Sequence, residues 1–403
     1  MSVTKISNDN IETIDVSKLT GSFPAIDGSS ITGIVGGTTV MKAASDPAND
    51  TNPADGVGTM YLNTTDGNMF ICMDATTDQN EWNNVGPGTG GVAYVPFSYQ
   101  GSSYGYSLGG HLDYSVIQKF SFTSDTNSVS TGNLLYSTYQ AEGSQSATHG
   151  FYMRGYDWGS ATNLRYEIQK FSFVSEGNAV DTGFTCFLKS AEYSQAHSST
   201  STDGNHCYIV GGFGTSGAVS SIQRFSFDIS ANTIDVGDIQ EGRGQGWGWS
   251  NGAYGYCAGG NNSGNQSTVF KFSFAAAGVT STNVGALTVA RRQCHGQGVN
   301  STTHGYVAAG EITGGNTPSN IIDRMSFASE GNAIDHGDLH TSVCYGAGNA
   351  SSTTHGYVFG GMLADFLTIN KIQKFAYASN NIASDSADLT ATSNLKSVAG
   401  CQN

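Results

Sequence analysis

The sequence predicts an all-β protein whose main part is a six-bladed β-propeller, and three observations lead to this prediction. The 403-residue chain holds 54 Gly, 20 Phe and 19 Tyr, but only 12% of its residues are charged. A motif that ends in a double glycine recurs six times, and each copy is followed by a second, aromatic motif. Each unit predicts four short strands: one for each motif, one after the turn that follows the second motif, and one before the next copy of the first motif. One four-stranded sheet cannot bury its own aromatic face, whereas six sheets packed radially can.

The first motif consists of His or Tyr, Gly, an aromatic residue, two mostly small or apolar residues, and Gly-Gly. Its copies are YGYSLGG from Tyr104, HGFYMRG from His149, HCYIVGG from His206, YGYCAGG from Tyr254, HGYVAAG from His304 and HGYVFGG from His355. The second motif reads IQKFSF or a close variant, and its copies end at Phe122, Phe173, Phe227, Phe274, Phe327 and Tyr377. Ser-Glu-Gly-Asn-Ala follows at 175–179 and 329–333, and its Gly and Asn suit a tight hairpin.

The two ends of the repeat array predict how it closes. A further strand is predicted before a copy of the first motif, as in SVCYGAGN at 342–349. The first unit has no clear strand of this kind before YGYSLGG, and the chain ends in LKSVAGCQN at 395–403, which matches SVCYGAGN. We expect the C-terminal strand to complete the first blade. The predicted propeller domain is 92–403.

The repeat resembles the kelch family over residues 96–403. The specific part is the double glycine at 109–110, 211–212, 259–260 and 360–361, where the absence of a Cβ lets the chain leave the strand sharply. Arg154 and Ala309 replace the first glycine in two units, and a Phe-Ser-Phe strand replaces the usual Tyr and Trp. The resemblance implies a kelch-like propeller, and we infer no kelch function from it.

The N-terminal region has a different character. Ile14 to Gly21 recurs twelve residues later as Ile26 to Gly33, a polar repeat with the apolar anchors Ile14, Leu19, Ile26 and Ile31. Because it is too poor in apolar residues to fold alone, we expect residues 1–40 to form an extended attachment or oligomerisation segment. Residues 41–91 predict a small β-hairpin module, with a turn at Asp66-Gly67 and Trp82 over its core, and a Gly-rich linker. Both segments resemble the N-terminal attachment regions of tail-fibre and appendage proteins of bacteriophages, marine phages in particular.

Composition excludes several classes of protein. With a formal charge of −15, the chain is expected to bind nucleic acid poorly. It contains no run of 18 apolar residues, so no membrane-spanning segment is predicted. The seven Cys include no CxxC pair, so we expect small buried residues rather than a zinc site. His149, His206, His304 and His355 share one repeat position and predict the same strand-start contact in each blade. His336 and His340 are expected to be solvated. We expect no metal and no cofactor.

Two enzyme classes that use propellers were considered. A galactose oxidase needs a Tyr–Cys copper site with His ligands, and a sialidase needs an Arg triad, an acid and a Tyr nucleophile. Arginine is scarce here and falls mostly at repeat-equivalent or loop positions. The sequence shows no set of nucleophile, base and orienting residue, so we expect no enzyme.

The loops after the double glycine vary most between units and are the predicted ligand-binding positions. In the first unit they contain Asp113 and Tyr114. In the second, Tyr156, Asp157 and Trp158 place aromatic rings beside a carboxylate, which suits a sugar. Trp247 and Trp249 either lie near the same rim or fill the core.

The leading hypothesis is a phage virion structural protein, a tail fibre or appendage. Residues 1–91 would contact other virion proteins and form a homotrimer, and the propeller would bind a host cell-surface glycan or protein. Such a protein is made in the host cytoplasm and is extracellular on the mature virion. The alternatives are a capsid or neck decoration protein, or a cellular kelch-like carbohydrate-binding or interaction domain.

Overall fold

The computed structural model describes residues 40–85, 99–111, 114–136, 140–156, 164–186, 199–214, 217–228, 231–275, 278–293, 297–391 and 393–403. Every regular element in these ranges is a β-strand, which confirms the all-β prediction. None of the described residues forms a helix long and apolar enough to cross a membrane. The chain divides into two compact units, Met1–Pro96 and Phe97–Asn403. The predicted anchors Ile14, Leu19, Ile26 and Ile31 lie outside the described residues.

The described part of the first unit, residues 40–85, forms one small sheet in the order β1 (Met41–Ala43), β2 (Met60–Asn63), β3 (Met69–Asp74) and β4 (Glu81–Asn84). The turn between β2 and β3 contains Gly67 in the left-handed region at φ 79°, as the Asp66-Gly67 pair predicts. Alternate residues of these strands point inward, and they bury Tyr61, Phe70, Cys72 and Trp82. Trp82 is 1% exposed, so it covers this core as expected.

The second unit contains six larger sheets in its described part. The first sheet comprises β5 (Tyr104–Leu108), β6 (Val116–Ser121), β7 (Val129–Asn133) and β31 (Ala399–Gln402). The second sheet comprises β8 (Glu142–Gln145), β9 (His149–Tyr156), β10 (Leu164–Ser172) and β11 (Val180–Thr185). The third sheet comprises β12 (Ser199–Thr202), β13 (His206–Val210), β16 (Ser221–Ser226), β17 (Ile234–Asp238) and β21 (Val279–Thr280). The fourth sheet comprises β18 (Trp247–Ser250), β19 (Tyr254–Ala258), β20 (Gln266–Ser273) and β22 (Thr282–Arg291). The fifth sheet comprises β23 (Val299–Asn300), β24 (His304–Ala308), β25 (Ser319–Ser326) and β26 (Ile334–Val343). The sixth sheet comprises β27 (Gly348–Ser351), β28 (His355–Phe359), β29 (Lys371–Ala376) and β30 (Ser384–Asp388). A short ribbon, β14 (Phe213–Gly214) with β15 (Gly217–Ala218), stands apart.

The chain's last strand belongs to its first sheet. Strand β31 pairs antiparallel with β5, with Ala399 opposite Leu108 and Cys401 opposite Tyr106. The C-terminal strand thus supplies one of the four strands of the first sheet. Residues from the two ends of the second unit therefore share one set of ladder hydrogen bonds.

Each sheet has at one edge the strand that pairs with its double-glycine motif strand: β31, β8, β12, β18, β23 and β27 in turn. Each of these edge strands contacts the next one in this order, and β27 contacts β31. Polar side chains make some of these contacts. The Thr200 hydroxyl donates to the Gly143 carbonyl at 2.8 Å, and Asn300 N–H donates to the Ser351 hydroxyl at 2.9 Å. Strands β8, β18, β27 and β31 are buried along their whole length.

Aromatic rings join each sheet to the next. The aromatic residue of the first motif stacks on the last aromatic residue of the following sheet's second motif, at centroid distances of 4.5 to 5.4 Å: Tyr106–Phe173, Phe151–Phe227, Tyr208–Phe274, Tyr256–Phe327, Tyr306–Tyr377 and Tyr357–Phe122. The last of these contacts joins the sixth sheet to the first. Each such pair stabilises by about 0.5–1.5 kcal/mol beyond the area it buries.

The outer strands are joined by a recurrent asparagine. Asn127, Asn178, Asn232 and Asn332 accept a hydrogen bond through Oδ1 from an N–H of the preceding sheet's outer strand, at 2.9 to 3.1 Å. The acceptor therefore satisfies an edge N–H that has no ladder partner. Antiparallel four-stranded sheets that contact in this serial way are consistent with a propeller-like all-β fold.

Candidate ligand-binding loops

The two ends of each sheet have different chemistry. At one end, here called the double-glycine side, the second strand turns into the third and the outer strand leads to the next sheet. At the other end, the hairpin side, the first strand turns into the second. Because binding residues often lie on loops held by a rigid scaffold, the loops of the double-glycine side are the candidate site.

The double glycine holds these loops close to the neighbouring sheet. Gly211 has φ 71°, and a Cβ there would lie 2.1 Å from the Arg243 carbonyl oxygen. Gly212 N–H donates to that same carbonyl at 2.6 Å. Ala309 adopts φ 69° although it is not glycine, so this repeat keeps the left-handed conformation of the first glycine at some cost in strain.

The loop of the sixth sheet presents an apolar pair. Phe366 and Leu367 are 65% and 62% exposed. Leu363 N–H donates to the Leu367 carbonyl at 2.9 Å, and Leu367 N–H donates to the Asp365 carboxylate at 3.2 Å. Phe366 has φ 68°, an unusual conformation for an aromatic residue. A short loop braced in this way holds two large side chains in solvent.

The loops of the fourth and fifth sheets are joined through Glu311, which is 1% exposed. Arg292 Nε donates to its carboxylate at 2.9 Å, and Asn316 N–H donates to the other oxygen at 3.1 Å. The Asn265 amide of the fourth sheet's loop donates to the Glu311 carbonyl at 2.8 Å. The charge of Glu311 is thereby compensated, and the residue orders both loops.

Below these loops lies a buried ion pair. Arg291 Nη2 donates to Asp323 at 2.7 Å, and the two side chains are 0% and 1% exposed. The Thr288 hydroxyl donates to the other oxygen of Asp323 at 2.6 Å, and Arg291 Nη1 donates to the Ile321 carbonyl at 2.9 Å. Burial raises the pKa of the Asp323 carboxyl, while Arg291 and Thr288 act in the opposite direction. With its partners inside the protein, this pair is a structural element.

The two predicted tryptophans lie in the core. Trp247 and Trp249 are each 1% exposed and belong to the largest hydrophobic cluster. The Trp249 ring stacks on Tyr256 at 5.9 Å, and the Arg291 guanidinium lies 5.9 Å from the Trp247 ring. Of the two placements considered, core filling is therefore the one found, since neither ring is accessible to a ligand at the surface.

The other predicted loop residues are only partly described. Tyr114 is half-buried and packs against the cluster that contains Phe120 and Phe359. Tyr156 ends β9, but its side chain lies outside the described residues, as do Asp113, Asp157 and Trp158. Sequence reasoning missed Phe366 and Leu367, although an apolar pair in the polar loop after Gly360-Gly361 was a usable signal.

Histidine and cysteine side chains act as structural groups where they are described. His149, His304 and His355 each place Nδ1 2.8 Å from the hydroxyl of the preceding threonine, and His206 lies 3.0 Å from Asp203 instead. The shared strand-start contact is thus confirmed for three of the four. Six cysteines are free and buried, as predicted; Cys294 lies outside the described residues. No three His, Cys, Asp or Glu side chains of the described ranges are grouped as a metal site requires.

The expectation for His336 is wrong. Its side chain is fully buried, Nε2 lies 3.0 Å from the Ala376 carbonyl, and the ring lies 5.2 Å from Tyr306. The strand containing His336 packs against the sixth sheet, so this face is an interface between sheets. The spacing of His336 and His340 had suggested only an outer, solvated strand.

Comparison with known proteins adds no relatives. No protein-family model matches the chain, and no curated protein is significantly similar to it in sequence.

Proposed function

We propose that the six sheets of residues 97–403 close into a six-bladed kelch-like β-propeller. Support for closure comes from the junction between the sixth and first sheets, which repeats the features of the others. Tyr357 stacks on Phe122 there, and Lys374 pairs with Asp125 as Lys119 pairs with Glu176 between the first and second sheets. In a closed ring of this kind, each blade keeps only a short, protected outer edge.

On this scaffold we infer a phage virion structural protein, a tail fibre or appendage, that binds a host surface molecule without catalysis. The observation that carries the binding role is the exposed pair Phe366 and Leu367 on a hydrogen-bonded loop of the double-glycine side. Exposed aromatic residues on a rigid loop lose little entropy on binding. The partner would be a host glycan or protein, and many weak contacts would be multiplied by valency.

The N-terminal unit would supply that valency. Residues 1–91 contain the short polar repeat, whose few apolar anchors suit burial between several chains, and the proposed state is a homotrimer attached to other virion proteins. The protein would reside on the virion, outside the cell once mature. The alternatives are a capsid or neck decoration protein and a cellular kelch-like interaction domain, and the following experiment separates both from the appendage function.

Light scattering of the full chain and of residues 97–403 tests the proposal. The appendage function predicts a trimer for the full chain and a monomer for residues 97–403. If the full chain is a monomer as well, the fibre-type function fails and a decoration protein or a free binding domain is favoured. If residues 97–403 are trimeric alone, the attachment role of the N-terminal unit fails.

A further inference from the structure

A polar cavity of about 360 Å³ lies between the second and third sheets on the hairpin side. Its lining includes Thr148 from the turn before β9, His149 at the start of β9, Lys170 from β10, Asn205 from the turn before β13, and Phe227 and Asp228 after β16. The volume is within the range of small-ligand sites. It lies away from the double-glycine loops, which are at the opposite ends of the same strands.

The equivalent lysines at three other junctions are neutralised by an acid of the following sheet. Lys119 pairs with Glu176, Lys271 with Glu330, and Lys374 with Asp125. Lys170 occupies the same position in the second motif, but it makes no ion pair among the described residues. Lys170 lines the cavity instead.

Two differences in sequence explain why this junction is open. Each pairing acid lies two residues before the recurrent asparagine, as Glu176 lies before Asn178. At the second junction, which is between the second and third sheets, the residue two positions before Asn232 is Ser230. Ser230 lies outside the described residues. The first-motif aromatic residue of the second sheet is Phe151, whereas the other five sheets have tyrosine. The second junction therefore lacks both the carboxylate and the phenol hydroxyl.

The cavity offers hydrogen-bond donors to an anion. Lys170 supplies a positive charge, and the Asn205 amide supplies a neutral donor. Burial and the nearby Lys170 lower the pKa of His149, so its imidazole is neutral at pH 7. Nδ1 of His149 lies 2.8 Å from the Thr148 hydroxyl. Among the described lining residues Asp228 is the one with a carboxylate, and it is exposed.

We propose that this cavity binds an acidic sugar, with Lys170 holding its carboxylate, His149 and Asn205 bonding its hydroxyls, and Phe227 forming an apolar wall. The inference deepens the proposed function, on which it rests, by naming the chemical class of a host glycan that the propeller would contact. Charge-assisted hydrogen bonds to a carboxylate are about twice as strong as neutral ones, so the carboxylate should dominate selectivity.

The test is calorimetric titration of the full chain with D-glucuronate, D-glucose and inorganic sulfate. We expect glucuronate to bind at least about tenfold more tightly than glucose, and Lys170→Gln to weaken glucuronate binding by about tenfold. The matched control, Lys271→Gln, changes a lysine that is already paired and should leave the affinity unchanged. Asp228→Asn removes the exposed carboxylate and should strengthen binding, a gain that misfolding cannot produce.

A second variant supplies the missing acid. Ser230→Glu introduces an acid two residues before Asn232, the spacing at which Glu176 precedes Asn178, and it should abolish glucuronate binding while the melting temperature is kept or raised. Equal affinity for glucose and glucuronate, or undiminished binding by Lys170→Gln, would overturn the proposal. Sulfate that binds as tightly as glucuronate would reduce the cavity to a simple anion site and overturn its sugar specificity. These results are independent of the trimer measurement, which tests the proposed function alone.

Discussion

At the scale of single residues, the described part of the protein buries more polar groups than its low charge suggests. Arg243, Arg291, Glu311, Asp323 and His336 are each about 1% exposed or less. Burying a charge is costly unless it is paired and hydrogen-bonded, and the contacts of Arg291 with Asp323 meet that requirement. The sequence shows Arg291 and Asp323, but not their pairing, because they lie 32 residues apart on strands of different sheets.

Removal of the Asp323 carboxylate should be severely destabilising. Asp323→Ala leaves Arg291 buried without its ion-pair partner, and we expect a loss of about 3–5 kcal/mol in the free energy of unfolding. Urea denaturation followed by tryptophan fluorescence measures it. The half-exposed Lys371 pairs with Asp385, so the control Lys371→Ala should cost less than about 1 kcal/mol. Equal losses in the two variants would contradict a structural role for the buried pair.

The buried His336 should make stability depend on pH. Burial lowers the pKa of His336 in the folded protein, so below about pH 6.5 the unfolded chain takes up a proton that the folded chain does not. Stability should therefore fall as the pH decreases from 7.5 to 5.5. His336→Phe should reduce this slope by at most about 1.4 kcal/mol per pH unit. Urea midpoints at the two pH values give the slope, and an unchanged slope in the variant would show that His336 does not contribute.

At the scale of strands and sheets, the motifs predicted most of the regular structure. The six copies of the first motif each form a second strand, and the IQKFSF copies each form a third strand. These strands were predictable because their aromatic residues repeat at fixed positions. The tryptophans were ambiguous because a strand buried on both faces and a rim strand carry the same residues, and only the packing of neighbouring sheets separates the two cases.

The outer strands contain a glycine whose importance the sequence did not reveal. A Cβ on Gly132 would lie 2.0 Å from the Gly177 carbonyl oxygen of the next sheet. Gly177 N–H donates to the Thr131 carbonyl at 3.0 Å, so the two backbones are in direct contact. The glycine is required by this close approach between sheets, which no pattern within one repeat encodes.

Gly132→Ala should therefore destabilise the protein by separating the first and second sheets. We expect a loss of about 1–3 kcal/mol, the usual range for overpacking a tight contact. Thermal unfolding of the variant measures it. Gly314→Ala is the matched control, since a Cβ there meets nothing within 4 Å, and it should be close to neutral. If Gly132→Ala is as stable as Gly314→Ala, the outer strands do not need this contact.

At the scale of the whole molecule, the proposed ring depends on the last strand of the chain. Strand β31 completes the first sheet through β5, and the sixth sheet contacts it through β27. The sequence predicted that the last strand pairs with the first repeat, because LKSVAGCQN resembles the strand that this repeat lacks. The ligand and the attachment partner were not predictable in the same way, since they depend on loop side chains that differ from one repeat to the next.

Hydrogen exchange of the full chain tests the closed ring most directly. C-terminal residues usually fray and exchange rapidly. The amides of a closing strand should instead exchange only when the whole domain unfolds. We predict that the amides bonded between Ala399–Gln402 and β5 exchange as slowly as those of β28 in the sixth sheet. Rapid exchange at Ala399–Gln402 while β28 remains protected would contradict the account, because the first and sixth sheets would then not be locked together by the C-terminal strand.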